Sequence, residues 1–373
     1  MSGITSWVAR VGALALAAVM AWGRPVVRGE GLPFIRGADI STLDQIERFG
    51  GVYKDGGRPR DLIEILRERG IDTVRLRIWN DPLTGFNNLE RTVAVARRVK
   101  SAGMRFLLDF HYSDTWADPG KQYKPARWRN LSFEELERAV QEYTRSVLET
   151  LAEAGAPPDM VQIGNEITQG FLWDDGRIGG EFDTEQQWRK FAQLLQAGIR
   201  GVHEAGISPQ PLIVIHIDRG GDNAGARWFF DGLQRQGVDF DIIGLSYYPW
   251  WHGTLQDARD NMTDLASRYD KDIVVVETAY PWTLQEADLH PNIVRRSDQL
   301  HPGYPASVEG QAAFLRDLVR MVESLPGGHG KGVVYWEPGY LSVPRLGGSP
   351  WENLALFDFE GNALPSWDAL GRP

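Results

Sequence analysis

The chain has 373 residues, a formal net charge of −10 at pH 7 and no cysteine. The acidic balance, with no run of Lys or Arg, argues against a nucleic-acid or anionic-membrane partner. The lack of cysteine excludes disulfides, cysteine zinc ligands, thiol nucleophiles and lipid attachment through an N-terminal cysteine.

The N-terminus has the pattern of a signal peptide over residues 1–21. Arg10 precedes an apolar stretch, Val11–Trp22, that is short for a bilayer span, and Val19 and Ala21 suit cleavage after Ala21. The alternative is an uncleaved membrane anchor. No later stretch approaches transmembrane length, so the mature chain is expected to be secreted or periplasmic, without a membrane contact, and monomeric.

Eight short apolar runs alternate with amphipathic stretches over one domain, residues 32–370. The predicted strands are Phe34–Ile40, Thr73–Trp79, Phe106–His111, Met160–Glu166, Leu212–Ile217, Ile242–Tyr248, Ile273–Thr278 and Gly332–Trp336. The predicted helices are Asp61–Arg69, Leu89–Ala102, Ser132–Ala154, Thr184–Ala205, Ala224–Gln236, Thr254–Tyr269 and Val308–Ser324. Nearly continuous apolar strands are typical of a parallel sheet that is buried on both faces.

This alternation predicts an α/β fold, a (β/α)₈ TIM barrel. A doubly wound nucleotide-binding fold would place a glycine-rich turn after the first strand. Here that strand is followed by Ser41, and no G-x-G-x-x-G or Walker pattern is present.

Functional residues of such barrels lie at the carboxyl ends of the strands. Polar or ionisable groups collect at the predicted strand ends, and five of the eight ends also carry Tyr or Trp. The chain also has 14 Trp, whose rings either fill the core or stack on the apolar faces of sugars. This combination favours an uncharged ligand that is rich in hydroxyl groups.

Glu166 and Glu277 each end an apolar strand, where a carboxylate is costly unless it is paired or used. Glycoside hydrolysis needs two such groups, one to protonate the leaving oxygen and one to attack the anomeric carbon or activate water. For either Glu alone, an ion pair with Arg75 or Arg77 is the structural alternative. Two carboxylates at one barrel mouth favour catalysis.

The remaining candidates are assigned to substrate binding and to shaping the site. Arg77 would orient the nucleophile, or else form a core ion pair, and Asn165 would bond a sugar hydroxyl. The other candidates of this group are Asp109, His111, Trp116, His216, Tyr248, Trp282 and Trp336. Asp109 and His111 lack the compact ligand spacing of a catalytic metal site, and no G-x-S-x-G elbow indicates an esterase.

At these residues the sequence resembles glycoside hydrolase family 53, the arabinogalactan endo-β-1,4-galactanases of clan A. The matching segments are Gly37–Ser41, Val74–Pro82, Leu107–Asp114, Trp116–Pro119, Gly164–Glu166, Ser246–Pro249, Trp251–Leu255, Glu277–Tyr280, Tyr335–Pro338 and Asn353–Phe359. They extend over roughly residues 35 to 367.

The resemblance implies that Glu166 is the acid/base and Glu277 the nucleophile. It implies carboxyl groups about 5–5.5 Å apart and retention of anomeric configuration through a covalent intermediate. It also implies an endo-acting groove for galactan or arabinogalactan, with Trp116, Trp282 and Trp336 as stacking candidates and no cofactor for catalysis.

The resemblance further implies a candidate structural Ca²⁺ site after the seventh strand. Its ligands would be Glu286, Asp288, His290, Asn292, Ser349 and Glu352, and calcium takes six to eight oxygens, backbone carbonyls included. Glu286 stands where the family pattern has Asp, and Pro291 where it has Gly. The alternative is a solvated acidic loop.

Two other functions stay open at this point. Another clan A glycanase, such as a mannanase, xylanase or glucanase, would use the same Glu pair on a different sugar. A non-catalytic glycan-binding barrel would keep the groove, but it has no use for two costly carboxylates.

Overall fold

A computed structural model describes residues 31–371. The predicted signal peptide, residues 1–21, lies outside this range. Among the described residues, no helix is both long and apolar enough to cross a membrane.

Eight parallel strands close into a barrel in which each strand pairs with its neighbours in the chain, and the last pairs with the first. The strands are β1 (Ile35–Asp39), β2 (Thr73–Ile78), β3 (Arg105–Phe110), β4 (Met160–Ile163), β5 (Leu212–Ile217), β6 (Ile242–Ser246), β7 (Asp272–Thr278) and β8 (Gly330–Trp336). Each overlaps one of the eight predicted strands, so the predicted TIM barrel is confirmed.

Helices connect the strands on the outside of the barrel. They are α1 (Leu43–Arg48), α2 (Leu62–Glu68), α3 (Leu89–Ser101), α4 (Phe133–Glu153), α5 (Glu185–Glu204), α6 (Asn223–Arg235), α7 (Pro249–His252), α8 (Leu255–Tyr269), α9 (Val308–Glu323) and α10 (Trp367–Gly371). The short helices α1, α7 and α10 were not predicted, because four to six residues carry too little periodicity to be recognised.

Local sequence explains where the long helices begin. Ser132 precedes α4 and accepts a hydrogen bond from the Glu135 backbone, while the Glu135 side chain accepts one from the Ser132 backbone. Thr254 and Asp257 form the same capping box at α8. Each box satisfies two backbone N–H groups that have no partner within the helix.

Two layers of apolar residues hold the fold together. Most of the core lies between the strands and the helices. A smaller cluster fills the barrel interior and includes Ile35, Leu107, Met160, Val214 and Val334. Charged and polar side chains continue this interior toward the carboxyl ends of the strands, where Arg75, Asp109 and His216 are almost completely buried.

One irregularity of the barrel aims a carboxylate. Leu245 of β6 pairs with Val275 of β7, but the next residue, Ser246, pairs with Glu277, so Val276 is an extra residue. Val276 packs in the barrel interior, and strict alternation would turn Glu277 toward the helices. The β-bulge instead lets both successive side chains face the interior.

Candidate active site

Glu277, at the carboxyl end of β7, is held by one residue of β2 and by one residue that follows β6. Its Oε1 lies 2.9 Å from Arg75 Nη1, and its Oε2 accepts a hydrogen bond from the Tyr248 hydroxyl at 3.0 Å. Glu277 is 6% exposed. Both oxygens are therefore fixed by donors, as a nucleophilic carboxylate requires if it is to be aimed before substrate arrives.

Glu166 follows β4 in a left-handed backbone conformation, with φ of 47°. Its Oε1 accepts a hydrogen bond from the Ser246 hydroxyl at 2.7 Å. Gln122 Nε2 donates to the carbonyl oxygens of Asn165 at 2.7 Å and Glu166 at 3.4 Å, which stabilises the turn. Left-handed non-glycine residues cluster at functional sites because the surrounding structure must maintain them.

The two carboxylates face the same strand. Ser246 bonds Glu166 and Tyr248 bonds Glu277, and these two residues of the β6 end are two positions apart, on one side of the chain. Burial and the neighbouring charge of Glu277 raise the pKa of Glu166 well above its usual range. Burial also raises the pKa of Glu277, to about 7, but Arg75 opposes that rise. Glu277 therefore ionises first and Glu166 keeps its proton.

A buried network around Arg75 supports Glu277. The guanidinium lies 2.8 Å from Asp39 and 2.9 Å from Asp109, and it donates to Asn165 Oδ1 at 2.8 Å. One arginine thus connects the nucleophile candidate to the residue that precedes the acid/base candidate. Since its partners are buried carboxylates, the network is costly to interrupt.

Arg77 occupies a different position from the one expected for an orienting arginine. It pairs with the completely buried Glu337 at 2.6 Å, while Arg75 contacts Glu277. The Thr42 backbone N–H also donates to Glu337, at 3.1 Å. The guanidinium of Arg77 lies 4.1 Å from the ring centre of Trp116. Arg77 therefore supports an aromatic wall of the site.

His111 and Asp109 lie in the floor of the site. His111 Nε2 is 3.1 Å from Asp109 Oδ2, and its Nδ1 accepts from Trp79 Nε1 and the Ala117 backbone. Burial lowers the pKa of His111, so the ring is neutral at pH 7. Both of its nitrogens are occupied within the protein. The same holds for Asn165, whose Oδ1 accepts from Arg75 at 2.8 Å and whose Nδ2 donates to the Ala117 carbonyl at 2.9 Å.

Aromatic rings, each in contact with the next, line the barrel mouth. Trp79 contacts Trp116 at 5.4 Å between ring centres, Trp116 contacts Trp336 at 5.9 Å, and Trp336 contacts Trp351 at 4.5 Å. Trp351 contacts Tyr248 at 5.7 Å, so the row ends at the residue that donates a hydrogen bond to Glu277. The row consists of Trp79, Trp116, Trp336, Trp351 and Tyr248, and we call it the aromatic row.

Trp282, the third predicted stacking residue, packs differently. Its ring lies 4.7 Å from that of Phe359, and its Nε1 donates to the Glu352 carbonyl at 3.3 Å. It thus connects the loop after β7 to the segment that carries Glu352.

Sequence reasoning missed four residues that hold the site. Arg75 was considered only as a partner in a structural ion pair, and Ser246, Gln122 and Trp351 were not singled out. For Ser246 a signal existed, because it precedes Tyr248 by two positions at the end of one predicted strand. Gln122 and Trp351 lie in loops, where no periodicity marks them.

The candidate calcium ligands come together in part. Asp288 Oδ2 accepts from the Ser349 backbone at 2.8 Å, and Asn292 Nδ2 lies 3.5 Å from Glu352 Oε1. Glu286 accepts from the Asn292 backbone at 3.4 Å. The exposed His290 donates its backbone N–H to Asp288 at 2.6 Å.

Two oxygen atoms of this group fit a cation. Asn292 Oδ1 and Glu352 Oε2 are buried and have no hydrogen-bond partner, and burial raises the pKa of Glu352 to about 7. Within residues 31–371, no three His, Asp or Glu side chains form a metal cluster. The fit consequently rests on oxygens of mixed type, which calcium accepts.

A TIM barrel with two glutamates at its strand ends and an aromatic row at its mouth has the fold and the site of a glycoside hydrolase. The sequence model of glycosyl hydrolase family 53 matches residues 35–370. The chain belongs to this family, and it is a glycoside hydrolase.

Similar proteins agree with this assignment. The chain is 56% identical to an uncharacterized protein of Niallia circulans, covering 90% of this chain and 93% of the relative. It is 36% identical to an endo-β-1,4-galactanase of Bacillus subtilis strain 168, covering 91% and 86% respectively. The solved family 53 catalytic domain of Ignisphaera aggregans superposes with a TM-score of 0.85 at 45% identity, covering 91% of this chain and 97% of that one.

Proposed function

We propose that this enzyme is an endo-acting, retaining hydrolase of β-1,4-galactosidic bonds in galactan and arabinogalactan. The observation that carries the proposal is the pair itself: Glu277 held by Arg75 and Tyr248, beside a Glu166 whose pKa is raised by burial and by the charge of Glu277. The family and the name of the Bacillus subtilis relative support galactan as the substrate.

In the first step, Glu166 gives its proton to the leaving oxygen while Glu277 attacks the anomeric carbon and forms a galactosyl ester. Glu277 loses its negative charge when the ester forms, and this loss lowers the pKa of Glu166. Glu166, now ionised, then takes a proton from water, which attacks the ester and releases Glu277. The two carboxyl groups perform both steps without a cofactor.

A substrate panel tests the specificity. Purified protein is incubated with potato galactan, mannan, xylan and β-glucan, and the products are separated. We expect galacto-oligosaccharides from galactan alone, in a range of lengths that shows internal cleavage. Products from another glycan alone would contradict the proposed substrate, and binding without turnover would indicate a glycan-binding barrel.

Azide rescue tests the two catalytic roles on an activated aryl β-galactoside. With Glu277→Ala, azide enters the space that the nucleophile leaves, and we expect an α-galactosyl azide. With Glu166→Ala, azide attacks the covalent intermediate, and we expect a β-galactosyl azide. The reverse pattern would exchange the two roles.

We also infer that the candidate calcium ligands bind one structural Ca²⁺. The unpartnered oxygens of Asn292 and Glu352 support it, together with the carboxylate of Asp288 next to them. The cation would supply positive charge among these oxygens and connect the loop after β7 to residues 349–352. No catalytic step involves it.

Export and a monomeric state complete the proposal. The apolar segment after Arg10, with small residues at 19 and 21, supports cleavage after Ala21. N-terminal sequencing of protein from the culture medium should begin at Trp22. We expect light scattering to give the mass of a single copy.

A further inference from the structure

Two buried side chains, one on β5 and one on β6, form a hydrogen-bonded series that ends at the acid/base candidate after β4. His216 on β5 lies with Nε2 2.8 Å from Ser246 Oγ on β6. Ser246 Oγ in turn lies 2.7 Å from Glu166 Oε1, after β4. His216 and Ser246 are both 0% exposed, so each hydrogen of this chain must go to a protein partner.

The hydrogen bonds of the other ring nitrogen of His216 determine which atom donates in each hydrogen bond of this series. His216 Nδ1 accepts the backbone N–H of Glu166 at 3.3 Å, and a backbone N–H can only donate. Gln162 Nε2, which also donates, lies 3.0 Å from the same nitrogen. Asn165 Oδ1 is 3.1 Å away and has a second lone pair, but a proton on Nδ1 would leave the buried backbone N–H of Glu166 without this acceptor. The proton of His216 is therefore on Nε2.

The ring carries one proton and not two. Burial and the charge of Arg75 hold the pKa of His216 well below its usual range. A neutral ring with its proton on Nε2 donates to Ser246 Oγ. The single hydroxyl hydrogen of Ser246 must then go to Glu166 Oε1, since an oxygen that already accepts from His216 has one hydrogen to give.

We propose that His216 and Ser246 are positioning residues that make Oε1 of Glu166 a permanent acceptor, so that the transferable proton is carried on Oε2. This inference rests on the proposed role of Glu166. Since the acid proton would sit on one oxygen only, it would face the leaving group without a rotation of the carboxyl group. The same Ser246 hydroxyl stabilises the carboxylate that remains after the proton has left.

We call the hydrogen-bonded series His216, Ser246 and Glu166 the relay. Glu166 contacts both of the other residues in it. Its backbone N–H fixes the state of His216, and its side chain receives the result through Ser246. The left-handed conformation of Glu166 (φ 47°) accompanies this arrangement, in which the backbone N–H meets the imidazole of β5 while the carboxyl group meets the hydroxyl of β6. The acid/base residue is thus part of the relay that orients it.

The first experiment measures the pH dependence of kcat/KM in Ser246→Ala. Loss of a hydroxyl donor to the ionised form raises the pKa of Glu166, so the alkaline limb should move upward by about one pH unit. Ser246→Thr keeps the hydroxyl and should keep the wild-type limb. Ser366→Ala is the matched control, because Ser366 is also 0% exposed but donates to the Val308 carbonyl on α9.

An unmoved alkaline limb in Ser246→Ala, with a wild-type circular dichroism spectrum, would overturn the proposal. So would an equal shift in the Ser366→Ala control. A general loss of folding would lower kcat/KM at every pH without moving the limb, and Ser246→Thr then separates the two cases.

The second experiment observes the tautomer directly by ¹⁵N NMR of histidine-labelled wild-type protein at pH 7. We expect a protonated Nε2 and an unprotonated Nδ1 for His216, identified by the change in its signals in Ser246→Ala. A protonated Nδ1 or a doubly protonated ring would overturn the relay. This measurement does not depend on turnover. Full hydrolysis by Glu166→Ala, by contrast, would contradict the proposed role of Glu166 but would leave the proton position on His216 unchanged.

Discussion

Arg75 Nη1 lies 2.9 Å from Glu277 Oε1, and the same guanidinium contacts Asp39 and Asp109. One buried cation therefore serves three buried carboxylates. Its attraction opposes the burial that raises the pKa of Glu277, and this keeps the nucleophile candidate the easier of the two glutamates to ionise.

Arg75→Lys should lower kcat/KM by roughly 30- to 100-fold, since a point charge cannot replace a planar fork that serves several acceptors. The acidic limb of the pH profile should also move upward, because the lysine ammonium, on a shorter side chain, would lie farther from Glu277 and stabilise its charge less. Steady-state kinetics on an aryl galactoside between pH 4 and 9 check both effects. Arg127→Lys, at an exposed pair with Asp81, is the control, and an equal loss there would contradict the assignment.

The wild-type enzyme should show a bell-shaped dependence of kcat/KM on pH. Activity should fall as pH drops below about 7, where Glu277 becomes protonated, and fall again at higher pH, where Glu166 loses its proton. In Glu277→Gln the charge that raises the pKa of Glu166 is absent, so that pKa should decrease. Infrared difference spectroscopy of the carboxyl band reports it, and an unchanged or increased pKa would refute the coupling.

Removal of a ring from the aromatic row should weaken substrate binding more than turnover. Trp116→Ala should raise KM for galactan oligosaccharides by about tenfold, the effect of losing roughly 1.5 kcal/mol of apolar contact. Trp116→Phe should recover part of it. Trp228, which packs on Trp188 away from the aromatic row, is the control. An increase in KM for Trp228→Ala as large as that for Trp116→Ala would contradict a role of the aromatic row in substrate binding.

Calcium should stabilise the protein measurably. At a concentration 100 times its Kd, calcium should raise the melting temperature of chelator-treated protein by about 5 °C. Glu352→Gln and Asp288→Asn should reduce or abolish this response, whereas Glu185→Gln, on the exposed start of α5, should retain it. A melting temperature that does not respond to calcium in the wild type would dismiss the site.

The sequence predicted the barrel because each strand is an apolar run and each helix an amphipathic one, and both are local properties. It also singled out Glu166 and Glu277 as the catalytic candidates, because both stand at strand ends. It did not distinguish Arg75 from Arg77. The two share one face of β2, and only the depth of Glu277 within the closed barrel decides which of them it meets.

The relay on His216 and Ser246 was beyond sequence reasoning for a related reason. His216 was assigned to the site, but its hydrogen bonds depend on the left-handed backbone of Glu166, a conformation that the sequence of a strand end does not indicate. Likewise, no alternation exists in the apolar run Ile273–Val276 against which the extra residue could be noticed.

That extra residue, Val276, has a practical meaning for anyone who transplants this chemistry. The orientation of Glu277 depends on the number of β7 residues between two successive pairings with β6. The glutamate itself does not determine it. A barrel design that copies the side chains but restores even pairing would keep every functional group and turn the carboxylate of its Glu277 equivalent toward the helix layer.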